Sequence, residues 1–436
     1  MLGLGDVWNY AYLQGQRGGS AFLAVYLASL FLLAVPILIA ELVVGRRGGL
    51  NPIHTIQHLT AEAEASVLWK GVGWIAVATA FLILCYYSVI AGWIVAYGFR
   101  SAVGTFRILT PDAARYLFQQ FVADPEKLLA WHSVIIAMTV GVSVGGPRRG
   151  LEKFMKGAVP AMAALLLALL VYAAVVGDLR GAARTLFAFD AQAFSRSMAL
   201  EALGQAFYTL SLGMGALLVY GAYLRHDAPL GRVTGLIALT DVAFSLVAAL
   251  VVTAVLAAQK MDVTSGPALV FQALPVAFGH LPYGALFGTL FFVLLLLAAW
   301  TSAVALMEPV VAWLTQAFRF QRATAAVAVG GAAWVVGILP VISFGAWSFE
   351  FNFLGERRAN GFFDVLDILT ADILLPLSAM FMALFVGWAM KTDQVRGELN
   401  APAAVFHVWR FLARFVSPVL VAIVLTRLLF GRYLTG

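Results

Sequence analysis

The chain has 436 residues, of which 62% are hydrophobic and 11% are charged, and its mean hydropathy is +0.92. Soluble domains carry about 25% charged residues, so this composition excludes a soluble globular protein and indicates an integral membrane protein. The net charge of +6 comes mainly from Lys and Arg at the ends of apolar segments, with no basic run interleaved with aromatic residues, which argues against a nucleic-acid partner. The single cysteine, Cys85, excludes a disulfide within the chain.

Apolar segments long enough to cross a bilayer follow one another along the whole chain. A transmembrane helix needs about 20 predominantly apolar residues. Such spans are predicted near residues 20–45, 71–103, 130–146, 156–177, 201–223, 232–258, 284–316, 324–345, 363–390 and 403–430. A short apolar piece at about 4–16 precedes them. We therefore expect an all-α, multi-pass protein of the cell inner (plasma) membrane, with about 11 helices of which the first is only partial.

Charged residues between the spans indicate an orientation. If the first segment runs outward, the pairs Arg46-Arg47 and Arg148-Arg149 lie on the inside. That placement agrees with the excess of Lys and Arg in cytoplasmic loops. The pair Arg357-Arg358 then lies on the outside, against the same rule.

Two apolar segments contain residues that disfavour an unbroken helix. Residues 211–215 read SLGMG in the middle of the span 201–223, and residues 3–6 read GLGD. Lipid tolerates irregular backbone only where protein or a watery cavity surrounds it. Interrupted segments in corresponding halves of a hydrophobic chain point to the binding site of a secondary transporter. The alternative is that the glycines only allow close helix packing, which is common in membrane helices.

The order and spacing of several motifs resemble the neurotransmitter:sodium symporter family. These motifs are GLGDVWNY at 3–10, PILIAELVVGRR at 36–47, Tyr86-Tyr87, Gln205 followed by YTLSLGMG at 208–215, and AAWTS at 298–302. The resemblance runs from Gly3 to about Phe430. It implies a leucine-transporter-like fold in one domain of residues 1–436. Two inverted five-helix repeats, about 1–180 and 198–392, would be followed by an extra helix at about 403–430, and helices 1 and 6 would be unwound halfway across the bilayer.

The resemblance implies a site for a zwitterionic amino-acid substrate. The backbone N–H groups of Leu4 and Gly5 and the hydroxyl of Tyr87 would hold its carboxylate. The ammonium group and side chain of the substrate would contact residues of helices 3, 6 and 8: Ile83, Tyr208, Thr209, Ser211, Met214, Ser302 and Leu306. Because Gly3 stands where amine-transporting relatives have an aspartate, a substrate with its own carboxylate is favoured. We expect a hydrophobic or aromatic amino acid.

Two sodium sites are also implied by the resemblance. The second site would use the carbonyl groups of Leu2 and Ala298 and the hydroxyl groups of Thr301 and Ser302. At the first site, the two asparagines of the family fall on Asp6 and Asp241, joined by Thr209. An unpaired carboxylate inside a membrane costs at least about 2.5 kcal/mol, so each acid is a functional candidate. One of them could hold a proton, since like charges at close range raise one pKa.

Chloride is expected not to be required. Relatives that need chloride bind it with residues that match Tyr26, Gln205, Thr209 and Ser245, and all four residue types are present in this chain. Asp6 and Asp241 nevertheless supply fixed negative charge at the same place, which makes an added anion unnecessary.

The outer gate departs from the family pattern. The family pairs an arginine of helix 1 with an aspartate of helix 10, and these positions match Asn9 and Asp367. An Asn–Asp hydrogen bond is weaker than a bidentate ion pair, so the aromatic lid at Tyr208 is expected to do more of the closing. Two further intramembrane acids remain. Asp372 has no evident partner, and Glu308 is a candidate either for proton relay or for a hydrogen bond to nearby backbone.

The sequence thus predicts sodium-coupled symport of a small amino acid or related zwitterion by alternating access, and not an enzyme. Proton-coupled amino-acid transport through Asp6 and Asp241 is the alternative within transport. Met1 matches a position near the middle of helix 1 in relatives. An upstream start codon or a non-transporting, truncated homologue would each account for that match. Homo-oligomerisation is left open by the sequence.

Overall fold

The computed structural model describes residues 4–345 and 347–434, apart from the side chains of Asp6 and residues 432–434. The helices of the first half are Leu4–Trp8 (α1), Tyr10–Gln16 (α2), Ser20–Gly48 (α3), Pro52–Glu62 (α4), Val67–Ala102 (α5), Pro111–Val122 (α6), Pro125–Val144 (α7), Pro147–Val176 (α8) and Leu179–Phe187 (α9). Those of the second half are Arg196–Thr209 (α10), Ala216–Tyr223 (α11), Leu230–Ala258 (α12), Leu269–His280 (α13), Gly284–Ala317 (α14), Arg322–Ser343 (α15), Gly361–Ala389 (α16), Thr392–Leu399 (α17) and Ala403–Gly431 (α18).

The predicted spans all coincide with helices. Within the described residues, nine helices are long and apolar enough to cross a membrane. The remaining predicted span, 201–223, is the broken pair α10 and α11. Between α15 and α16, the strands Phe351–Phe353 (β1) and Glu356–Arg358 (β2) form an antiparallel hairpin in which Phe351 pairs with Arg358. The prediction of an all-α, multi-pass membrane protein is confirmed.

Two helix pairs form the centre of the bundle. The helix α5 packs along the length of α14, and α11 packs against α3. The second contact depends on Gly45, because a Cβ atom there would lie 2.0 Å from the carbonyl oxygen of Leu218. Small residues let membrane helices approach this closely. The half-helix α11 is therefore seated on α3 by backbone contact.

The break predicted in the sixth helix is present. The helix α10 ends at Thr209, and α11 begins at Ala216. Between them, the φ angles of Ser211, Gly213 and Gly215 are +53°, +82° and +73°. An L-residue helix cannot continue through left-handed backbone, and glycine adopts that backbone without steric cost.

The first helix differs from the expectation. Residues 4–6 were expected to be unwound, but they lie within α1, and the Asn9 N–H donates to the Gly5 carbonyl at 3.1 Å. This bond has the i→i−4 spacing of an α-helix and keeps the first turn helical. Any interruption closer to the start of the chain would fall on residues 1–3, outside the described part.

Candidate substrate and ion site

The broken joint between α10 and α11 is held by a buried carboxylate. The backbone N–H of Gly213 donates to Oε1 of Glu41 on α3 at 2.7 Å, and Glu41 is 0% exposed. A backbone group without a helical partner costs several kcal/mol in a bilayer unless something else satisfies it. Glu41 therefore stabilises the break. Glu41 lies within the motif at 36–47, and an acid inside an apolar span was the signal in the sequence that could have found it.

The predicted first sodium site is assembled around Asp241 of α12. The Thr209 hydroxyl, at the end of α10, donates to Oδ2 of Asp241 at 2.6 Å, and Asp241 is 1% exposed. The Tyr26 hydroxyl lies 3.4 Å from Thr209 Oγ1, and the Ser245 hydroxyl donates to the Asp241 carbonyl at 3.0 Å. Buried oxygens of this kind are suited to a hard cation. The side chain of Asp6, predicted for the same site, is outside the described residues.

The predicted second sodium site lies in the middle of α14. The Thr301 hydroxyl is 2.9 Å from the Ala298 carbonyl oxygen, so two of the predicted ligand oxygens are adjacent. Ser302 follows directly and is half-buried. Both hydroxyls and the carbonyl are oxygen donors of the type that binds alkali cations. Leu2, the fourth predicted ligand, lies outside the described residues.

The predicted substrate residues are distributed over neighbouring elements. Ile83 and Tyr87 are on α5, and Ser302 and Leu306 are on α14, which packs along α5. The residues of the broken joint are Tyr208, Thr209, Ser211 and Met214. Leu4 and Gly5 belong to α1, which contacts α10, α12 and α14. The fold thus places all these residues on elements that meet around the joint.

A large cavity reaches one residue of each predicted sodium site. It has a volume of about 1140 Å³ and lies between α8, α11 and α12. Arg148 and Arg149, next to the loop after α7, line one part of it, and Asp241 and Thr301 line another. None of the predicted substrate residues lines it. Arg148 and Arg149 belong to the pairs that the sequence analysis places on the inside, so the predicted orientation would put this end of the cavity at the cytoplasmic face.

Two of the predicted gate residues, Tyr208 and Asp367, meet at α16. The Tyr208 hydroxyl donates to the Ala371 carbonyl of α16 at 3.2 Å. Asp367 lies close to the Tyr86 hydroxyl of α5. No hydrogen bond joins Asn9 to Asp367 among the described residues, so the gate role of this pair stays a prediction.

Two acids have partners that the sequence analysis missed. Nη2 of Arg358 on β2 is 3.8 Å from Oδ2 of Asp372, for which the sequence showed no partner. Glu308 accepts from Nη1 of Arg322 at 2.9 Å and from the Tyr223 hydroxyl at 2.6 Å. Of the two alternatives for Glu308, the hydrogen bond to nearby backbone is not found among the described residues, because Arg322 and Tyr223 occupy its carboxylate, and proton relay stays a prediction.

Comparison with known proteins decides the family. The model of the sodium:neurotransmitter symporter family matches residues 1–107 and 127–432. The chain belongs to this family. Among curated relatives of the symporter, a sodium-dependent transporter of Bacillus subtilis is 31% identical over 432 residues, which cover 98% of this chain and 94% of that protein. A sodium-dependent transporter of Haemophilus influenzae is 27% identical over 438 residues, which cover 98% of this chain and 94% of that protein.

A solved structure agrees with this membership. The crystal structure of MhsT in complex with L-phenylalanine is similar to the symporter with a TM-score of 0.85 and 34% sequence identity, covering 97% of this chain and 94% of that one. The predicted leucine-transporter-like fold with inverted five-helix repeats is confirmed. The repeat boundaries at about 1–180 and 198–392 stay predictions. The named relatives are transporters, which is consistent with a protein that is not an enzyme.

Proposed function

We propose that this symporter couples the entry of sodium to uptake of a small zwitterionic amino acid by alternating access. The observation that carries the proposal is the broken joint, whose Gly213 is held by Glu41 and whose Thr209 bonds the buried Asp241. Broken helices of this kind line the midplane sites of secondary transporters. The names of the bacterial relatives support sodium dependence, and the L-phenylalanine bound to MhsT supports an amino-acid substrate. The inner (plasma) membrane is the proposed location.

The substrate is bound between α1, α5, the broken joint and α14 in this proposal. Leu4, Gly5 and Tyr87 hold the carboxylate. The ammonium group and the side chain of the substrate contact Ile83, Tyr208, Thr209, Ser211, Met214, Ser302 and Leu306. The aliphatic and thioether groups among them make an adaptable apolar pocket, which suits a hydrophobic or aromatic amino acid. Tyr208 is the lid, and Asn9 and Asp367 complete the outer gate.

Sodium ions are cargo, carried inward together with the amino acid. Asp6, Thr209 and Asp241 bind the first, next to the amino acid. Leu2, Ala298, Thr301 and Ser302 bind the second. Because the cavity between α8, α11 and α12 reaches Asp241 and Thr301, it is the proposed route of ion release to the cytoplasm.

Sodium-driven uptake tests this function. In proteoliposomes, an inward sodium gradient should drive uptake of radiolabelled L-phenylalanine. Thr301→Val should weaken the apparent sodium affinity by about tenfold or more, because a contact to a charged group contributes about 1.5–3 kcal/mol. Thr315→Val is the matched control, since Thr315 lies on the same helix and its hydroxyl makes the same 2.9 Å bond to a carbonyl three residues earlier.

Three outcomes would contradict the proposal. If Thr301→Val and Thr315→Val lowered the apparent sodium affinity equally, the proposed second sodium site would be contradicted. Uptake driven by a pH gradient without sodium would favour proton coupling through Asp6 and Asp241. Absence of L-phenylalanine uptake and of sodium-dependent binding of any amino acid would favour a non-transporting homologue.

Chloride independence is a separate prediction. Replacing chloride with gluconate should leave uptake by the unmodified protein unchanged, because Asp241 already supplies negative charge beside Tyr26, Thr209 and Ser245. Asp6→Asn combined with Asp241→Asn removes both carboxylates of this site and should make uptake chloride-stimulated. Asp227→Asn, which breaks an exposed ion pair with Arg225, is the control and should change neither the uptake rate nor its independence of chloride. Loss of uptake by the unmodified protein in gluconate would disprove the prediction.

A further inference from the structure

We infer that Arg358, on the hairpin between α15 and α16, is a positioning residue of the outer gate. By pairing with Asp372, it fixes the turn of α16 on which the Tyr208 lid closes. The inference rests on the proposed transport function, in which Tyr208 covers the substrate. It assigns the basic half of the gate to a loop that follows α15 and not to helix 1, where Asn9 carries no charge.

The first step is the geometry of the pair. Nη2 of Arg358 lies 3.8 Å from Oδ2 of Asp372 and 3.1 Å from Oε2 of Glu356 on the same strand. The Arg358 and Asp372 side chains are 28% and 14% exposed. Asp372 belongs to the apolar span α16, where a carboxylate is costly without a counter-charge. Arg358 is the basic side chain that meets it among the described residues.

The second step is the local shape of α16. Residues Ile368–Leu374 form a π-helical stretch, in which hydrogen bonds run from i to i+5. A π-turn therefore brings Asp367 and Asp372, five positions apart, to the same side of the helix. The Tyr208 hydroxyl bonds the carbonyl of Ala371, the residue before Asp372. A displacement of Asp372 should therefore move the Ala371 carbonyl, which accepts the hydrogen bond from the Tyr208 lid.

The third step is the second face of the same turn. The Thr370 hydroxyl oxygen lies 3.3 Å from the Tyr86 hydroxyl of α5, and Tyr86 lies close to Asp367. The scaffold helix α5 thus holds one face of the turn, and the hairpin holds the other. Release of the hairpin removes one of the polar contacts that position the carbonyl under the lid.

The fourth step is the contrast between two adjacent arginines. Arg357 forms an exposed ion pair with Glu350, and its side chain is 72% exposed. Arg358 pairs with Glu356 on its own strand and also reaches Asp372, an acid of a membrane span. A basic pair on the outside opposes the usual charge distribution of membrane proteins. The contact with Asp372 would account for a basic residue at position 358 on that side. Arg357, which makes no such contact, provides a matched control.

The test measures access to the substrate site from outside, without a transport assay. In a Cys85→Ala background, Ile83→Cys places one thiol in the proposed substrate site. Right-side-out vesicles are exposed, without sodium or amino acid, to a membrane-impermeant maleimide. Arg358→Gln and Asp372→Asn should each raise the labelling rate about fivefold, the effect of losing an ion pair near the surface. Arg357→Gln should leave the rate unchanged.

A double variant separates the pair from general damage. Arg358→Gln combined with Asp372→Asn should label no faster than either single variant, since both remove the same interaction. Equal effects of Arg357→Gln and Arg358→Gln, additive effects in the double variant, or unchanged labelling in Arg358→Gln would each overturn the inference. Because labelling needs no substrate, failure of L-phenylalanine uptake would count against the proposed function alone.

Discussion

Gly213→Ala should abolish transport and destabilise the symporter. The residue has φ +82°, and a Cβ atom there would lie 2.5 Å from the Leu375 carbonyl oxygen of α16. Left-handed backbone costs an L-residue roughly 1–2 kcal/mol, and overpacking adds roughly 1–3 kcal/mol. The backbone must shift to relieve both, which also disturbs the N–H bond to Glu41. Thermal unfolding in detergent and uptake in proteoliposomes measure the two effects.

Gly331→Ala on α15 is the control for this change. Nothing lies within 4 Å of a Cβ atom at Gly331, and its backbone is helical. Alanine is a better helix former than glycine by about 1 kcal/mol, so stability should stay the same or rise. Normal uptake by Gly213→Ala would show that the break is not needed in its observed form.

Arg322→Gln should lower the free energy of unfolding by about 3–5 kcal/mol, because it leaves the buried Glu308 carboxylate without its charged partner. Glu308 is 0% exposed, and Arg322 both pairs with it and donates from Nε to the Ser143 carbonyl of α7 at 2.8 Å. The Tyr223 hydroxyl of α11 bonds the same carboxylate. The change therefore loosens the half-helix α11 as well as α7 and α15. The shift in the thermal unfolding midpoint is the measurement.

Neutralising the partner should reverse most of this loss. Arg322→Gln with Glu308→Gln leaves no uncompensated charge, so the double variant should be more stable than Arg322→Gln alone. Lys156→Gln breaks an ion pair with Glu152 on the exposed surface and should leave the unfolding midpoint unchanged. A double variant that is less stable than the single one would contradict the buried-charge explanation.

The residues of the first predicted sodium site came from aligning this chain with the motifs of the family. The YTLSLGMG motif placed Thr209 next to the break, and the family spacing placed Asp241 opposite it on α12. The 2.6 Å bond between them shows that this register holds in three dimensions. The functional roles of these residues stay predictions. At residues 4–6 the backbone is a helical turn that begins at Leu4, and the substrate-binding roles of Leu4 and Gly5 stay predictions.

Hydropathy and glycine content by themselves determined the membrane class, the spans and the break at 211–215, because these depend on local length and local backbone preference. Which buried acid meets which donor was decided by the tertiary structure. Glu41 and Gly213 are 172 positions apart in the chain. Arg358 reaches Asp372 only because a hairpin and a π-helical turn bring them together. A charge inside a membrane is costly unless it is paired. Which residue pairs with it depends on how the helices pack, and local sequence does not determine that packing.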